Sequence, residues 1–493
     1  MYEESDELYR FNNATQVRFR YTAARNSTTD GCTVPVYAYV KSVQFCIHKI
    51  VFHKCLTKST HQEEVRNEVW QKGLVGQLKR KWIAILTTVS VLASVCGCGA
   101  VQEQVENVET AETLTTSEVL ETTVEQTIEE ETVAEQAAVE VDRSETFAML
   151  ADMGAGWNLG NTLDAHGGSS LELMSEVSWG NPKTTPEMIQ AVAEEGFKTI
   201  RIPVTWSTHV STGPEYRINP AWLDRVEEVV KYAMDCDMYV ILDTHHEPDY
   251  WLKPQTSGLE DVEKELSAIW QQIAERFADY DEHLLFEGMN EPRIKGSPQE
   301  WTGGDSDGRK AVNALNQVFV DTVRATGGNN AARTLIICPY GNSVSDKSLI
   351  EMEIPQDEHI AVAVHLYTPY FFTFKPDSGN VNVWDGSMKK DIESVMSQVN
   401  EQLIQKGVPV IITEFGAVHK EYQDENGNTV SNKEDVLKWL ADYMEVTTQY
   451  GIPCIWWDNN VYNSQGENFG LFDRKNLTWF DKDIADAFVT YAK

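Results

Sequence analysis

Basic residues are scarce in this 493-residue chain: 41 Lys and Arg stand against 76 Asp and Glu, a formal net charge of −35. That deficit excludes nucleic acid, or an anionic membrane surface, as a partner held by electrostatics. No Cys-x-x-Cys and no His/Cys metal spacing occurs, which argues against structural zinc. No metal or other cofactor is expected. No Gly-x-Ser-x-Gly elbow occurs either, which sets aside a Ser-His-Asp hydrolase. Methionine is absent between Met1 and Met149. Residues 82–100 carry no charge, and residues 101–140 carry no Lys, Arg, Gly, Pro or aromatic residue. Wholesale disorder is excluded, because 42% hydrophobic and 10% aromatic residues are ample for a large core.

These gaps divide the chain. Lys79-Arg80-Lys81 precedes the uncharged run Trp82–Val95, which ends at Cys96-Gly97-Cys98. A basic cluster, an apolar run and small residues make the pattern of a secretory signal. The run falls short of the roughly 20 apolar residues of a comfortable transmembrane helix. Val95-Cys96-Gly97-Cys98 is similar to a bacterial lipobox, with Cys98 as the lipidated residue; a plain signal cut nearby is the alternative. Residues 76–98 are therefore read as an export signal. Signals belong at a true N-terminus, so residues 1–75 are expected to be an artefact of the assigned start, or unstructured. A start nearer the signal needs a Val or Leu codon, as at Leu74, Val75 or Leu78. A genuine N-terminal extension is the other possibility. Residues 99–143 are read as a linker, since the 12 Glu within 101–140 repel one another. Eight cysteines are present; Cys236, Cys338 and Cys454 lie in or beside apolar runs of the body and are expected to be buried free thiols.

From residue 144 to 493 the pattern is regular. Apolar or β-branched runs recur at Gly154–Gly160, Thr199–Trp206, Tyr239–His245, Leu284–Glu291, Thr334–Tyr340, Ile360–Tyr367, Pro409–Gly416 and Pro453–Asn460. Amphipathic stretches lie between them, including Pro186–Glu195, Pro220–Cys236 and Ser431–Tyr450. Eight such alternations predict an α/β fold of the (β/α)8 barrel type, with a doubly wound sheet as runner-up. Gly154-Ala155-Gly156 precedes its strand and is a weak match to a nucleotide turn.

Barrel active sites form where strand C-termini feed the βα loops. The last residues of the runs are Arg201 with Trp206, His245 and His246, Asn290 and Glu291, Tyr340, His365 and Tyr367, Glu414, and Trp457 with Asp458. Carboxylates at the ends of strands four and seven suit an acid and a nucleophile for glycosidic cleavage. Glu247, Asp249, Asp305 and Asp458 are read as loop carboxylates.

Residues 146–493 resemble the retaining endoglucanases of glycoside hydrolase family 5. The resemblance rests on Gly156-Trp157-Asn158-Leu159-Gly160-Asn161-Thr162-Leu163-Asp164, Arg201-Ile202-Pro203-Val204, Asp243-Thr244-His245-His246-Glu247, Gly288-Met289-Asn290-Glu291-Pro292, His365-Leu366-Tyr367, Ile412-Thr413-Glu414-Phe415-Gly416 and Ile455-Trp456-Trp457-Asp458-Asn459-Asn460. The first motif and the His-His-Glu turn look most like the subfamily that cleaves β-1,4-glucans, including mixed-linkage glucan and xyloglucan. The resemblance implies that Glu291 is the general acid/base and Glu414 the nucleophile. Arg201 and Tyr367 would support Glu414, and Asn290 would hold the sugar 2-hydroxyl. His245 and His365 would orient the catalytic pair and the sugar, over Trp457 as platform. Asn161, His246 and Trp179 would serve more distant subsites. A neighbouring carboxylate and burial are expected to raise the Glu291 pKa, while Glu414 stays ionised. The loops Glu247-Pro248-Asp249-Tyr250-Trp251 and Thr302-Gly303-Gly304-Asp305 depart from the family pattern where subsites would be built. The expected function is retaining endo-β-1,4-glucanase, acting on a glucan partner as an exported, lipid-tethered monomer. A β-mannanase or xylanase on the same machinery, or a non-catalytic polysaccharide-binding protein, are the rivals.

Overall fold

The computed structural model describes residues 2–11, 15–24, 141–167, 172–374, 381–424, 426–463 and 466–493. The export signal, Cys98 and nearly all of the acidic linker lie outside the described residues. The chain divides into two units, Met1–Glu130 and Glu131–Lys493. In the first, Tyr2–Phe11 pairs antiparallel with Thr15–Ala24. No strand was expected there, because the alternation over Val17–Tyr21 is too short to count as a sustained period.

The second unit is a closed eight-stranded parallel barrel. Its strands are β1 (Gly156–Asn158), β2 (Thr199–Ile202), β3 (Tyr239–Asp243), β4 (Leu284–Glu287), β5 (Leu335–Ile337), β6 (Ile360–His365), β7 (Val410–Phe415) and β8 (Cys454–Trp456). Each falls inside one of the eight predicted runs. β8 pairs with both β1 and β7, so no edge remains and the doubly wound alternative is overturned. Helices α1 (Pro186–Glu195), α2 (Pro220–Met234), α3 (Leu259–Arg276), α4 (Ser306–Ala325), α5 (Asp346–Ile350), α6 (Lys389–Gln402), α7 (Lys433–Thr448) and α8 (Lys482–Tyr491) follow the strands in turn.

Local chemistry sets the helix ends. Asn219 accepts a bond from Ala221 N at 3.0 Å and Pro220 opens α2. Asp305 caps α4 through Gly308 N at 2.8 Å, so it is a helix cap rather than a subsite group. Strands buried on both faces read as continuous apolar runs, as a parallel barrel requires. A short helix, Ser144–Asp152, packs beneath the barrel. Thr199 Oγ1, on the first residue of β2, donates to Met153 O at 2.7 Å. Leu150 and Met153 are buried there. Arg143, just ahead of that helix, donates to Pro355 O at 2.9 Å and Asp357 O at 3.0 Å. The bottom is thus closed, and the polar strand ends gather at the opposite mouth. Cys338 and Cys454 are buried free thiols and Cys236 is a half-buried one. Among the described residues no helix is long and apolar enough to cross a membrane.

Candidate active site

Arg201, on β2, is fully buried at the centre of the mouth. Its Nη1 donates to Glu414 Oε1 at 2.8 Å and to Asn158 Oδ1 at 3.1 Å. Nε and Nη2 donate to Glu287 at 2.6 and 3.1 Å, and Nη2 also to Asn290 Oδ1 at 2.8 Å. Asp243 Oδ2 lies 2.9 Å away. One guanidinium cannot balance three buried carboxylates. Burial therefore pushes Asp243 up to about 6 against the pull of Arg201, and raises Glu287 as well. Asp243 and Glu287 were missed as site residues; the available signal was a carboxylate inside an otherwise apolar strand.

Glu414 lies within β7, as its run predicts, and Tyr367 Oη donates to its Oε2 at 3.1 Å. Glu291 differs from the expectation of a strand-ending residue. β4 stops at Glu287, and Glu291 sits in the following loop with a left-handed φ of 44°. Asn342 Oδ1 accepts from its backbone N–H at 2.8 Å. His365 joins the two carboxylates: its Nδ1 is 3.0 Å from Glu291 Oε1 and 3.5 Å from Glu414 Oε2. A carboxylate oxygen of each lies within 4.8 Å of the other and of that imidazole. So close an approach suits a pair that forms a covalent glycosyl intermediate.

The charges differ from the expectation. Burial pushes Glu291 up, but His365, Arg293 and His245 outweigh it and hold the carboxyl down to about 2. Burial raises Glu414, against His365 and Arg201. Burial would lower His365, yet the carboxylates Glu414 and Glu291 raise it. His365 accounts for most of the reversal, and the cation Arg293, 3.1 Å from Glu291 Oε2 and not foreseen, adds to it. The His365 contact that lowers Glu291 also raises His365, so the three groups titrate together.

His245 stands apart from the catalytic pair. Its Nδ1 bonds Asp243 Oδ2 at 2.7 Å and its Nε2 faces Asn290 Nδ2 at 3.5 Å. Its ring stacks on Trp457 at 5.6 Å and 4°. It lies against Trp457 and Asn290, and its influence on Glu291 is through charge. Trp457 is 8% exposed, whereas Trp456 turns outward to donate to Phe469 O at 3.0 Å. Gly160 lets the chain pass beneath Trp457: a Cβ there would meet Cη2 at 2.9 Å.

Asn161, His246 and Trp179 gather on the β1 and β3 loops. Trp179 lies 5.5 Å from His246 and 5.1 Å from His166, and Tyr250 Oη bonds His166 at 2.8 Å. His166 and Tyr250 were not singled out. Asp164 accepts from Asn161 N at 3.1 Å and lies 3.5 Å from His246 Nε2. Two loop carboxylates prove to be buried cores of their loops. Glu247 accepts from Trp206 N at 2.7 Å. Asp458 accepts from Trp157 Nε1 at 2.8 Å and Phe472 N at 2.9 Å. Among the described residues, two trios have ligand atoms close enough for a metal: Asp164, His245, His246 and Glu291, His365, Glu414.

A family model described as cellulase (glycosyl hydrolase family 5) matches residues 163–463. Endoglucanase A of Ruminococcus albus is 47% identical over 356 residues, 72% of this chain and 94% of that one. Endoglucanase B of Neocallimastix patriciarum is 43% identical, covering 67% and 68%. Among solved structures, a family 5 xyloglucan-specific endo-β-1,4-glucanase from a metagenomic library, bound to cellotriose, is 51% identical. It has a TM-score of 0.67 and covers 71% of this chain and 100% of its own. A family 5 lichenase from Caldicellulosiruptor sp. F32 is 41% identical, with a TM-score of 0.65 and coverage of 72% and 96%.

Proposed function

We propose that this chain, which belongs to the cellulase family (glycosyl hydrolase family 5), is a retaining endo-β-1,4-glucanase. It hydrolyses internal β-1,4-glucosidic bonds of cellulose-type, mixed-linkage or xyloglucan polymers by double displacement. The observation that carries this reading is the pair Glu291 and Glu414, bridged by His365 with oxygens within 4.8 Å. Glu414 attacks the anomeric carbon, and the bond to the leaving oxygen breaks as Glu291 delivers a proton to it. The contact between His365 Nδ1 and Glu291 Oε1, at 3.0 Å, is where that proton is held for the arriving oxygen. Water then attacks the glycosyl–Glu414 ester, and Glu291 takes the water's proton. Arg201 and Tyr367 hold the Glu414 carboxylate by hydrogen bonds before the ester forms and after it breaks. Asn290 Oδ1 is occupied by Arg201 and one Nδ2 hydrogen faces His245, so the other Nδ2 hydrogen serves the 2-hydroxyl. Trp457 offers its face to the sugar. Trp179, His246 and Asn161 contact sugars further along the chain.

The test follows reducing-end release by the full chain, with Glu414→Ala as control, from soluble cellulose derivative, mixed-linkage β-glucan, xyloglucan and mannan. Release from the glucans, lost in the control, is expected. Release from mannan alone would keep the catalytic pair and overturn the substrate. A folded protein that binds one polymer and cleaves none would make it a binding protein.

Export and anchoring through Cys98 are part of the proposal and rest on the signal and lipobox pattern of residues 76–98. Labelling native cells with a fatty-acid probe should mark the wild type and not Cys98→Ala. The enzyme acts as a monomer, so light scattering should return the mass of one chain.

A further inference from the structure

The loop after β4 carries a ring that the catalytic scheme leaves unused. Trp301 is 59% exposed. The Arg293 guanidinium carbon lies 4.3 Å from its ring centroid, so one face of the indole is covered. With that much surface free, the other face looks into solvent. Arg293 is itself nearly buried, and its Nη1 lies 3.1 Å from Glu291 Oε2. The same nitrogen donates to the Glu291 carbonyl oxygen at 3.0 Å, and Nε donates to Glu300 Oε1 at 3.3 Å. One planar cation thus touches both the outer ring and the acid/base carboxylate. These contacts keep the ring centroid within about 9 Å of Glu291 Oε2.

The loop gives that ring a firm footing. Glu300 Oε2 accepts from Gly296 N at 2.6 Å. Thr302 N and Gly304 N both donate to Gln299 O, at 3.2 and 3.1 Å, closing turns around Trp301. Tyr340 Oη accepts from Ile294 N at 2.7 Å. Gly304, at φ +67°, lies against the Tyr340 ring, which a Cβ would approach to 2.7 Å. An indole exposed by chance needs no such support.

We propose that Trp301 is the stacking platform for a sugar on the leaving-group side of the cleaved bond, and that Arg293 is the positioning residue that carries this platform and steers Glu291. The proposal rests on the glucanase reading above and extends it. Glu291 gives its proton to the departing oxygen, so surface tied to Glu291 receives the departing chain, while Trp457 and His245 serve the sugar that is retained. An indole face offers the apolar C–H face of a pyranose a complementary surface. Because Arg293 spans ring and carboxylate, filling the platform and aiming the proton are one mechanical event. Arg293 also helps His365 hold Glu291 low, consistent with a cation whose placement matters to proton delivery.

The test compares two substrates on the full chain. Cellohexaose fills the leaving-group side; β-cellotriosyl fluoride leaves it empty and needs no proton on its leaving group. Trp301→Ala should lower kcat/KM on cellohexaose about tenfold, chiefly through KM, with the fluoride within about twofold of wild type. Arg293→Met should lower kcat/KM on cellohexaose at least as much and move the alkaline limb of its profile to higher pH, because removing the cation raises the pKa of the coupled His365 and Glu291. Arg293→Lys should bring that limb back and leave the cellohexaose loss in place. Equal losses on both substrates, or none on cellohexaose, would overturn the platform. A wild-type chain inert toward both substrates would instead overturn the glucanase reading beneath it.

Discussion

The two carboxylates at the mouth stand on different ground. Glu414 belongs to a strand that pairs with both neighbours, and its own carbonyl accepts from Leu366 N at 3.0 Å. Its partners, Arg201 and Tyr367, come from β2 and the end of β6. Glu291 sits in a loop, at a backbone angle that costs a non-glycine residue on the order of 1–3 kcal/mol. Its partners Arg293, Asn342 and His365 come from the β4 and β5 loops and the end of β6. The difference matches the chemistry. A nucleophile must remain at one point in a wall, whereas an acid/base must trade a proton with sugar in one step and water in the next. The wall is set by the barrel and the rim by its loops, so changes on the two sides should fail in different ways.

The largest expected effect is on the wall. Glu414→Ala should lose turnover to background while sugar binding, measured by calorimetry, survives. Added azide should then restore part of the cleavage with inverted stereochemistry; recovery with retention would assign the nucleophile elsewhere. Removing Glu291 should be milder and selective. Glu291→Ala should slow polymer cleavage by roughly 10²–10⁴-fold and spare substrates with good leaving groups. Equal, modest losses from both glutamates would erase the comparison.

Arg201→Met probes how the wall is held. Asp243, Glu287 and Glu414 would lose their shared cation, and breaking a buried pair costs roughly 3–5 kcal/mol. Urea unfolding should register that loss, and a stability unchanged within error would show that the three carboxylates are held otherwise.

The smallest effect uses a buried histidine with no carboxylate beside it. His209 stacks on Trp222 at 3.7 Å and its Nε2 bonds Ser175 Oγ at 3.0 Å. Burial lowers it to about 4, whereas His365, buried between two carboxylates, is raised. The unfolded chain binds the His209 proton near pH 6.5 and the folded one only near 4, so stability should fall as pH drops through that window. The full loss is roughly 3 kcal/mol. Denaturation of His209→Gln between pH 6.5 and 4 should be flatter than wild type by about that amount; parallel curves would refute the assignment.

Much of this protein was legible without coordinates. Eight apolar runs predicted eight strands, because a strand buried on both faces must be apolar along its length. The run ends named Arg201, Asn290, Glu291, His365, Tyr367, Glu414 and Trp457, and the fold brings them to one mouth. Other residues were hidden for physical reasons. Asp243 and Glu287 look like lapses in apolar strands until Arg201 is seen beside them. Arg293 and His166 lie in loops, whose paths follow no period. The hairpin at Tyr2–Phe11 and Thr15–Ala24 rests on an alternation too brief to separate from chance.

The chain by itself determined the barrel and set Glu291 and Glu414 at the ends of two of its apolar runs, since periodicity and residue type are local properties written into each segment. Only the tertiary structure decided their charge. Arg201 reaches Glu414 across 213 positions and His365 reaches Glu291 across 74. A carboxyl's pKa is set by burial and by whichever cations fold against it. No local pattern carries that information, and for Glu291 it reversed the expected direction.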